Sequence, residues 1–475
     1  MIAVFSQNQT PRLEYMLDHI IAGIWGQSYR IFLSEKEFLE EAAVAKINYS
    51  PDEIDGTLQI MPDGLLFETT IRKQEPHVEW RDGMPVCLFQ NTNREKTVWD
   101  PLSACFYFLS RYEEYLPHTA DKHGRYPAQK SMAAQNGFLQ MAVVDRWIAD
   151  LAGRLHEKFP AFSPARRQTV FTPTCDIDIA YAYLHKGLLR TAGGILKSCS
   201  SGLWDEMSED IRRRWRVLTG RKKDPYDTFD ALQQLHRDEG LHPVYFVLFA
   251  PRSRYDKGIS PEKPAFRLKI MSLAQEAEIG IHASYAASSE KDPLRLLSEK
   301  EALATLIQRK VTANRFHYLH FRLPESCRML LQAGITEDYS MGYADTAGFR
   351  AGTCNPFYFF DLERNETTPL QIHPLLFMEN AFFKEPPDIQ MSVRIPFKGY
   401  VPLYDQKPPE AAELFEAIRP LLDECIRFNG EIVTLFHNQS FGELPGHDLP
   451  VPALYSKIIH YIKCHAGKLD TTKQD

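Results

Sequence analysis

Gln168-Thr-Val-Phe-Thr-Pro-Thr-Cys-Asp-Ile-Asp178 begins as a β-rich run and ends in two carboxylates one residue apart. Just before it, Phe159-Pro-Ala-Phe-Ser-Pro164 carries two prolines and reads as a linker. Beyond it the chain alternates strand with helix. Strands are expected at 169–171, 243–249, 278–282, 315–319 and 431–436. Between them lie helical stretches at 227–238, 266–277, 298–309, 324–333 and 410–428. Strands separated by helices specify a parallel sheet or barrel. The expected class is α/β: a distorted (β/α) barrel over residues 166–475, preceded by a smaller mixed α/β domain over residues 1–165.

In that first part, Ile2-Ala-Val-Phe5, Ser28-Tyr-Arg-Ile-Phe-Leu33 and Leu65-Leu-Phe67 are short β-rich runs bounded by turn formers. Asp100 and Pro101 suit the N-cap and first position of a helix running from Leu102 to Tyr115. A second helix is expected from Val144 to Phe159. Two segments break the alternation in the second part. Residues 186–224 hold a Gly-Gly pair and a basic run, Arg212-Arg-Arg-Trp-Arg216 through Arg221-Lys-Lys223, and residues 384–409 carry six prolines and read as an extended loop.

Composition narrows the function classes. The 475 residues are 44% hydrophobic and 25% charged, an ordinary globular balance. With 55 Lys+Arg against 62 Asp+Glu, the net charge of -7 argues against a nucleic-acid binder. No apolar run approaches the ~20 residues of a membrane span, so no integral membrane segment is expected. The N-terminus lacks a basic region followed by an apolar one, so no secretory signal is read. Eight cysteines without CxxC spacing read as reduced thiols, which places the chain in the cytoplasm.

The chemistry-bearing residues stand where predicted strands end, which is where (β/α) barrels build active sites. On an extended chain Asp176 and Asp178 project to one face, where a cation relieves their repulsion and one carboxylate stays available as a base. The same segment also reads as an Asx turn or helix N-cap. His282, in Ile279-Gly-Ile-His282, is either a neutral-imidazole metal ligand or a hydrogen-bonded structural residue. Arg315 and His317 share a face if their strand stays extended. Arg350 is flanked by Gly348 and Gly352, and Ile432-Val-Thr-Leu-Phe-His437 is an apolar strand ending in a histidine. Together these residues span about 260 positions, the size of one barrel.

In these motifs and their order, residues 168–440 resemble the polysaccharide deacetylases (the NodB-homology, carbohydrate esterase 4 superfamily), in a divergent Bacteroidetes-type branch. Trp99-Asp-Pro-Leu to Tyr112-Glu-Glu-Tyr-Leu116, with Asp121-Lys-His-Gly-Arg125, resembles the N-terminal domain that accompanies this branch. The resemblance implies a NodB-type barrel, with Asp176 as catalytic base, Asp178 and His282 as metal ligands, Arg315 orienting the acid and Leu435-Phe-His437 supplying the general acid. The family's second histidine falls at Ala286, so His317, from the neighbouring strand, is taken here as the third ligand. Arg350 and Tyr285 are assigned to substrate.

The activity so implied is removal of acetyl groups from an N- or O-acetylated saccharide by metal-activated water. The metal expected is Zn²⁺, with Co²⁺, Ni²⁺ or Mn²⁺ as alternatives. A lipid- or nucleotide-linked glycan precursor suits a cytoplasmic enzyme better than an extracellular polymer. Two other readings stand beside it: a catalytically silent barrel that organises glycan-biosynthesis components, and a metal-assisted amide hydrolase of a small molecule. Trp204, Trp215 and the Tyr-rich loops allow sugar stacking, and the basic run 212–223 is either a solvated helix face or a site for an anionic glycan.

Overall fold

The computed structural model describes residues 1–89, 98–185, 204–382, 410–442 and 450–466. The Gly-Gly pair, the proline-rich 384–409 loop and the Trp204 side chain lie outside the described parts. The chain opens with a four-stranded parallel sheet of order β2-β1-β3-β4, built from β1 (Ile2–Ser6), β2 (Tyr29–Phe32), β3 (Ala45–Tyr49) and β4 (Leu58–Gln59). An antiparallel ribbon follows, of β5 (His77–Arg81), β6 (Met84–Phe89) and β7 (Val98–Trp99). Helix Pro101–Leu109 then begins where its cap residues predict, with the Asp100 carboxylate accepting from the Leu102 and Ser103 amides.

The large sheet has nine strands: β8 (Val170–Ile177), β9 (Val244–Val247), β10 (Glu278–Ala283), β11 (Ala313–Phe316), β12 (Glu337–Asp338), β13 (Phe357–Asp361), β14 (Glu366–Ile372), β15 (Leu375–Met378) and β16 (Glu431–His437). Their order is β13-β14-β12-β11-β10-β9-β8-β16-β15, and only the β13–β14 pair is antiparallel. β9 and β16 are buried along their whole length, as expected for parallel strands covered on both faces.

Connectivity makes this sheet curl. β14 lies near one edge and β15 at the other, yet only His373 and Pro374 separate them. The three steps from Ile372 to Leu375 span at most about 11 Å, whereas the seven strand-to-strand steps between them would cover roughly 34 Å if flat. The sheet therefore rolls until its edges meet, and the Leu375 amide donates to the Met341 carbonyl beyond β12 at 3.0 Å. Inside the roll pack Phe246, Tyr339, Leu375, Val433 and Leu435.

The first 165 residues share a core with this sheet. Tyr15 and Phe106 pack on Phe360 of β13 at ring separations of 5.2 and 5.1 Å, covering the outer strands. Among the described residues no helix is long and apolar enough to cross a membrane, and none of their cysteines is in a disulfide.

Three local expectations are corrected. Leu65–Phe67 is a 3₁₀ turn, because Gly64 takes a φ of 112° and the Asp63 carboxylate accepts from the Leu65 amide. The helix expected to reach Tyr115 breaks at Arg111 (φ 53°, ψ 43°), whose buried guanidinium turns back to bind Glu113 and Glu114. β11 ends at Phe316, because Tyr318 and Leu319 both take left-handed backbone, so His317 stands in a turn and not on an extended strand.

Candidate metal centre and acid–base pair

β8, the strand of the Asp176 motif, lies between β16 and β9, and its ladder aligns Asp176 with His437. Pro173 lacks an amide donor in mid-strand, and next to it the Thr174 hydroxyl donates to the Thr434 carbonyl. Asp176 is buried at the end of this strand. Arg315 reaches it from β11, three strands away, with Nη1 donating to Asp176 Oδ1 at 2.9 Å and also to Thr174. That reach depends on the curl, since three strand steps cover about 14 Å in a flat sheet. Arg315 Nε donates to the Tyr339 carbonyl and its guanidinium lies over the Phe246 ring at 4.6 Å, so it holds one carboxylate oxygen through a single N–H.

Asp178, just past the strand, faces two histidines. His282 Nε2 lies 3.1 Å from Asp178 Oδ1 and 3.6 Å from Asp176 Oδ2, and His317 Nε2 lies 3.5 Å from Asp178 Oδ2. The far nitrogens are both committed. His282 Nδ1 contacts the Arg315 carbonyl at 2.8 Å, and a carbonyl can only accept, so Nδ1 carries the hydrogen. His317 Nδ1 likewise meets Asp256 Oδ1 at 2.8 Å. A neutral imidazole held this way presents a lone pair at Nε2, here aimed at a carboxylate. Among the described residues no hydrogen bond reaches the buried Asp178 Oδ1.

Two lone pairs and a carboxylate pointed at one another are stable only with a cation or a proton among them. Donor atoms of Asp178, His282 and His317 all fall within 4.8 Å of one another. Two imidazoles and a carboxylate are the donor types of catalytic zinc sites, and backing of ligand histidines by a carbonyl or carboxylate is the usual outer support. These residues fit a divalent ion.

Without an ion, protons do that work. Burial opposes charge on His317, but Asp178 and Asp256 outweigh it and raise the imidazole to about 9. Burial likewise pushes the Asp178 carboxyl up, yet the surrounding histidines, His317 foremost, hold it well below the usual range. Burial pushes the Asp256 carboxyl up, yet hydrogen bonds from His317 and Ser253 and the His317 charge hold it at about 2.

His437 closes the other side. Its Nδ1 lies 2.6 Å from Glu379 Oε1, and its Nε2 is 3.7 Å from Asp178 Oδ2. Burial disfavours the imidazolium, but Glu379, then Asp178 and Asp176, raise it to about 10. That is well above the ~6.5 of an unperturbed imidazole. Glu379 also accepts from the His437 amide and the Ser440 hydroxyl, which fixes the ring.

Of the two residues assigned to substrate, Tyr285 adjoins the site, its amide donating to Asp256 Oδ1 at 2.7 Å, and Arg350 is bound away from it. Tyr285 is half-buried in an aromatic group with Tyr255 and His320, at 4.2 and 4.6 Å. Arg350 is buried, with its guanidinium taken up by Glu114 at 2.9 and 2.7 Å and by the Gly342 carbonyl. It joins the first part of the chain to the barrel and does not reach Asp176. Position 286, where the resemblance places a histidine, is Ala286, whose amide donates to Asp256 Oδ2.

Asp256 and Glu379 were missed in the sequence. Asp256 follows β9, so asking which acid follows each expected strand would have raised it. Glu379 follows β15, which has no helix before it and shows no strand signal of its own.

Comparison with known proteins gives three kinds of result. Residues 2–160 match DUF7033, a family of unknown function. No curated protein matches the chain. Solved structures with some likeness include a Mycobacterium smegmatis protein assigned to the polysaccharide deacetylases (15% identity, 66% of this chain and 96% of that one, TM-score 0.37). Others are the polysaccharide deacetylase Bc1974 from Bacillus cereus (10%, 62% and 89%, TM-score 0.28) and PuuE allantoinase (11%, 66% and 89%, TM-score 0.36). At these identities and TM-scores the likenesses carry no functional assignment.

Proposed function

We propose that this chain is a metal-dependent hydrolase that removes acetyl groups from an N- or O-acetylated saccharide, or from a lipid- or nucleotide-linked precursor of one. We take residues 166–475 as a NodB-type barrel that carries the site. The observation that supports this reading is the convergence of Asp178 with the Nε2 atoms of His282 and His317, each imidazole backed at Nδ1, between an Arg-held carboxylate and a carboxylate-held histidine.

A divalent ion held by Asp178, His282 and His317 would supply Lewis acidity to a carbonyl oxygen and lower the pKa of an attacking water. Asp176 then takes the water's proton. Arg315 holds its Oδ1, which leaves Oδ2 for the proton. His437 can donate from Nε2 to the departing amine or alcohol, because Glu379 stabilises its imidazolium.

The test is metal analysis of the purified protein with acetate release from a panel of acetylated saccharides. One bound ion per chain, and release that stops with a chelator and returns with Zn²⁺, are expected. A protein that holds no stoichiometric ion and releases no acetate would be the silent barrel instead.

A further inference from the structure

The chain leaving His317 takes a costly path. Tyr318 (φ 62°, ψ 13°) and Leu319 (φ 48°) are both left-handed. Residues with a Cβ avoid this region, and a pair of them persists only where the surroundings hold it. The hold comes from far away in sequence: Arg125 Nη1 donates to the Tyr318 carbonyl at 2.6 Å.

Arg125 is itself fixed. Its Nε and Nη2 lie 2.8 Å from Asp121 Oδ2, and Asp121 Oδ1 accepts from the His123 and Arg125 amides at 2.8 and 2.9 Å. Gly124, at φ 75°, closes the turn by donating to the Asp121 carbonyl. From the same turn the His123 ring lies 5.3 Å from the Tyr318 ring, and its Nδ1 lies 3.2 Å from the Tyr285 hydroxyl. Tyr318 in turn packs against the His317 ring at 4.6 Å, while 39% of it remains exposed.

We propose that the Asp121–Arg125 turn is a working part of the metal site, with Arg125 as a positioning residue. By holding Tyr318 and Leu319 in left-handed backbone it sets the direction in which His317 leaves β11, and so the aim of Nε2 toward Asp178. The stretch matched by the family of unknown function thereby gains a task, which is to complete a site whose ligand candidates all come from the barrel. The consequence for metal rests on the hydrolase reading above, whereas the effect on His317 does not.

The experiment titrates metal-free, full-length protein with Zn²⁺ against a chromophoric chelator, and records the visible spectrum of the Co²⁺ form. The variants are Arg125→Ala, Arg125→Lys, Tyr318→Asn and the Arg125→Ala/Tyr318→Asn double. Outer supports of metal ligands typically contribute 10–100-fold, so Arg125→Ala should weaken Zn²⁺ by roughly that factor and shift the Co²⁺ bands, with far-UV circular dichroism unchanged. Arg125→Lys should recover part of the loss, since an ammonium can donate to the carbonyl but cannot also grip Asp121 as a fork.

Asn tolerates left-handed backbone, so in the Tyr318→Asn background the Arg125→Ala loss should shrink. An Arg125→Ala protein with wild-type Zn²⁺ affinity and Co²⁺ spectrum would overturn the inference, as would an equal loss in both backgrounds. If Arg125→Ala fails to fold, Arg125→Lys with and without Tyr318→Asn gives the same comparison. A wild type that binds no Zn²⁺ would end the hydrolase reading alone. The ¹⁵N shifts of the His317 imidazole in metal-free protein would then decide, and shifts unmoved by Arg125→Lys would overturn this inference as well.

Discussion

Asp176 and Asp178 are two residues apart and have different surroundings, so their substitutions should separate. Asp176 is gripped by Arg315, whereas Asp178 faces the two Nε2 atoms. Asp176→Asn should therefore abolish acetate release and keep the metal, while Asp178→Asn or His282→Ala should lose both. Metal content and acetate release on the same preparations check this, and loss of metal from Asp176→Asn would exchange the two roles. His437→Ala should keep the metal and lower kcat by roughly 10²–10⁴. An activated aryl acetate should suffer less, because its leaving group needs no proton; equal loss for all leaving groups would remove His437 as the acid. His317 carries a proton up to about pH 9 when no ion is present, and an incoming cation must displace it. Zn²⁺ affinity should accordingly rise with pH toward 9, with proton release measurable by titration calorimetry in buffers of different ionisation enthalpy.

At the scale of elements, the end of β10 is held by a helix further along the chain. Helix Pro293–Ile307 places Glu299 under the end of β10, where its carboxyl accepts from the Ser284 amide at 3.2 Å and hydroxyl at 2.7 Å. Burial pushes Glu299 up to about 7, only partly offset by those hydrogen bonds. The folded state thus keeps a proton that the unfolded chain releases near pH 4.5. This contribution to stability is fully present below pH 4.5, is lost as pH rises to 7, and is constant above that. It amounts to at most about 3 kcal/mol. Glu299→Gln should flatten the pH dependence of urea unfolding between pH 5 and 7, and an unchanged slope would show that Glu299 titrates normally. β8, β9, β10 and β16 were legible as strands because each is a buried run of strand formers. β12, only two residues long, and β13 to β15 were not, since no helix separates β13, β14 and β15 and nothing in their local pattern marks where pairing stops.

For the molecule as a whole, one link between its two parts, beside their shared apolar core, is ionic and buried. Glu114 would be raised by burial, yet Arg350 and Arg111 hold it at about 2. Removing one partner leaves the other charge buried and unpaired, which typically costs 3–5 kcal/mol. Glu114→Gln should therefore cost roughly that much in urea unfolding. Glu114→Leu with Arg350→Met should recover much of it, since the pair is then replaced by apolar groups of similar size. A Glu114→Gln protein as stable as wild type would mean that solvent reaches this pair.

The amino-acid sequence on its own determined β8, β9, β10 and β16 as buried strands and placed Asp176, Asp178, His282 and His437 at or just past their ends. Side-chain periodicity and turn chemistry are local properties, written residue by residue along the chain. It also carried the Asp100 cap and the order of the barrel motifs. Tertiary structure alone decided which of those residues meet. Arg315 touches Asp176 only because the sheet rolls, and the two-residue link between β14 and β15 enforces that roll only once both have paired. Asp256 and Glu379 gain meaning only beside histidines from other strands, and Arg125 only beside Tyr318, 193 residues away. Convergence depends on register, curvature and long-range pairing, which no short window of sequence contains.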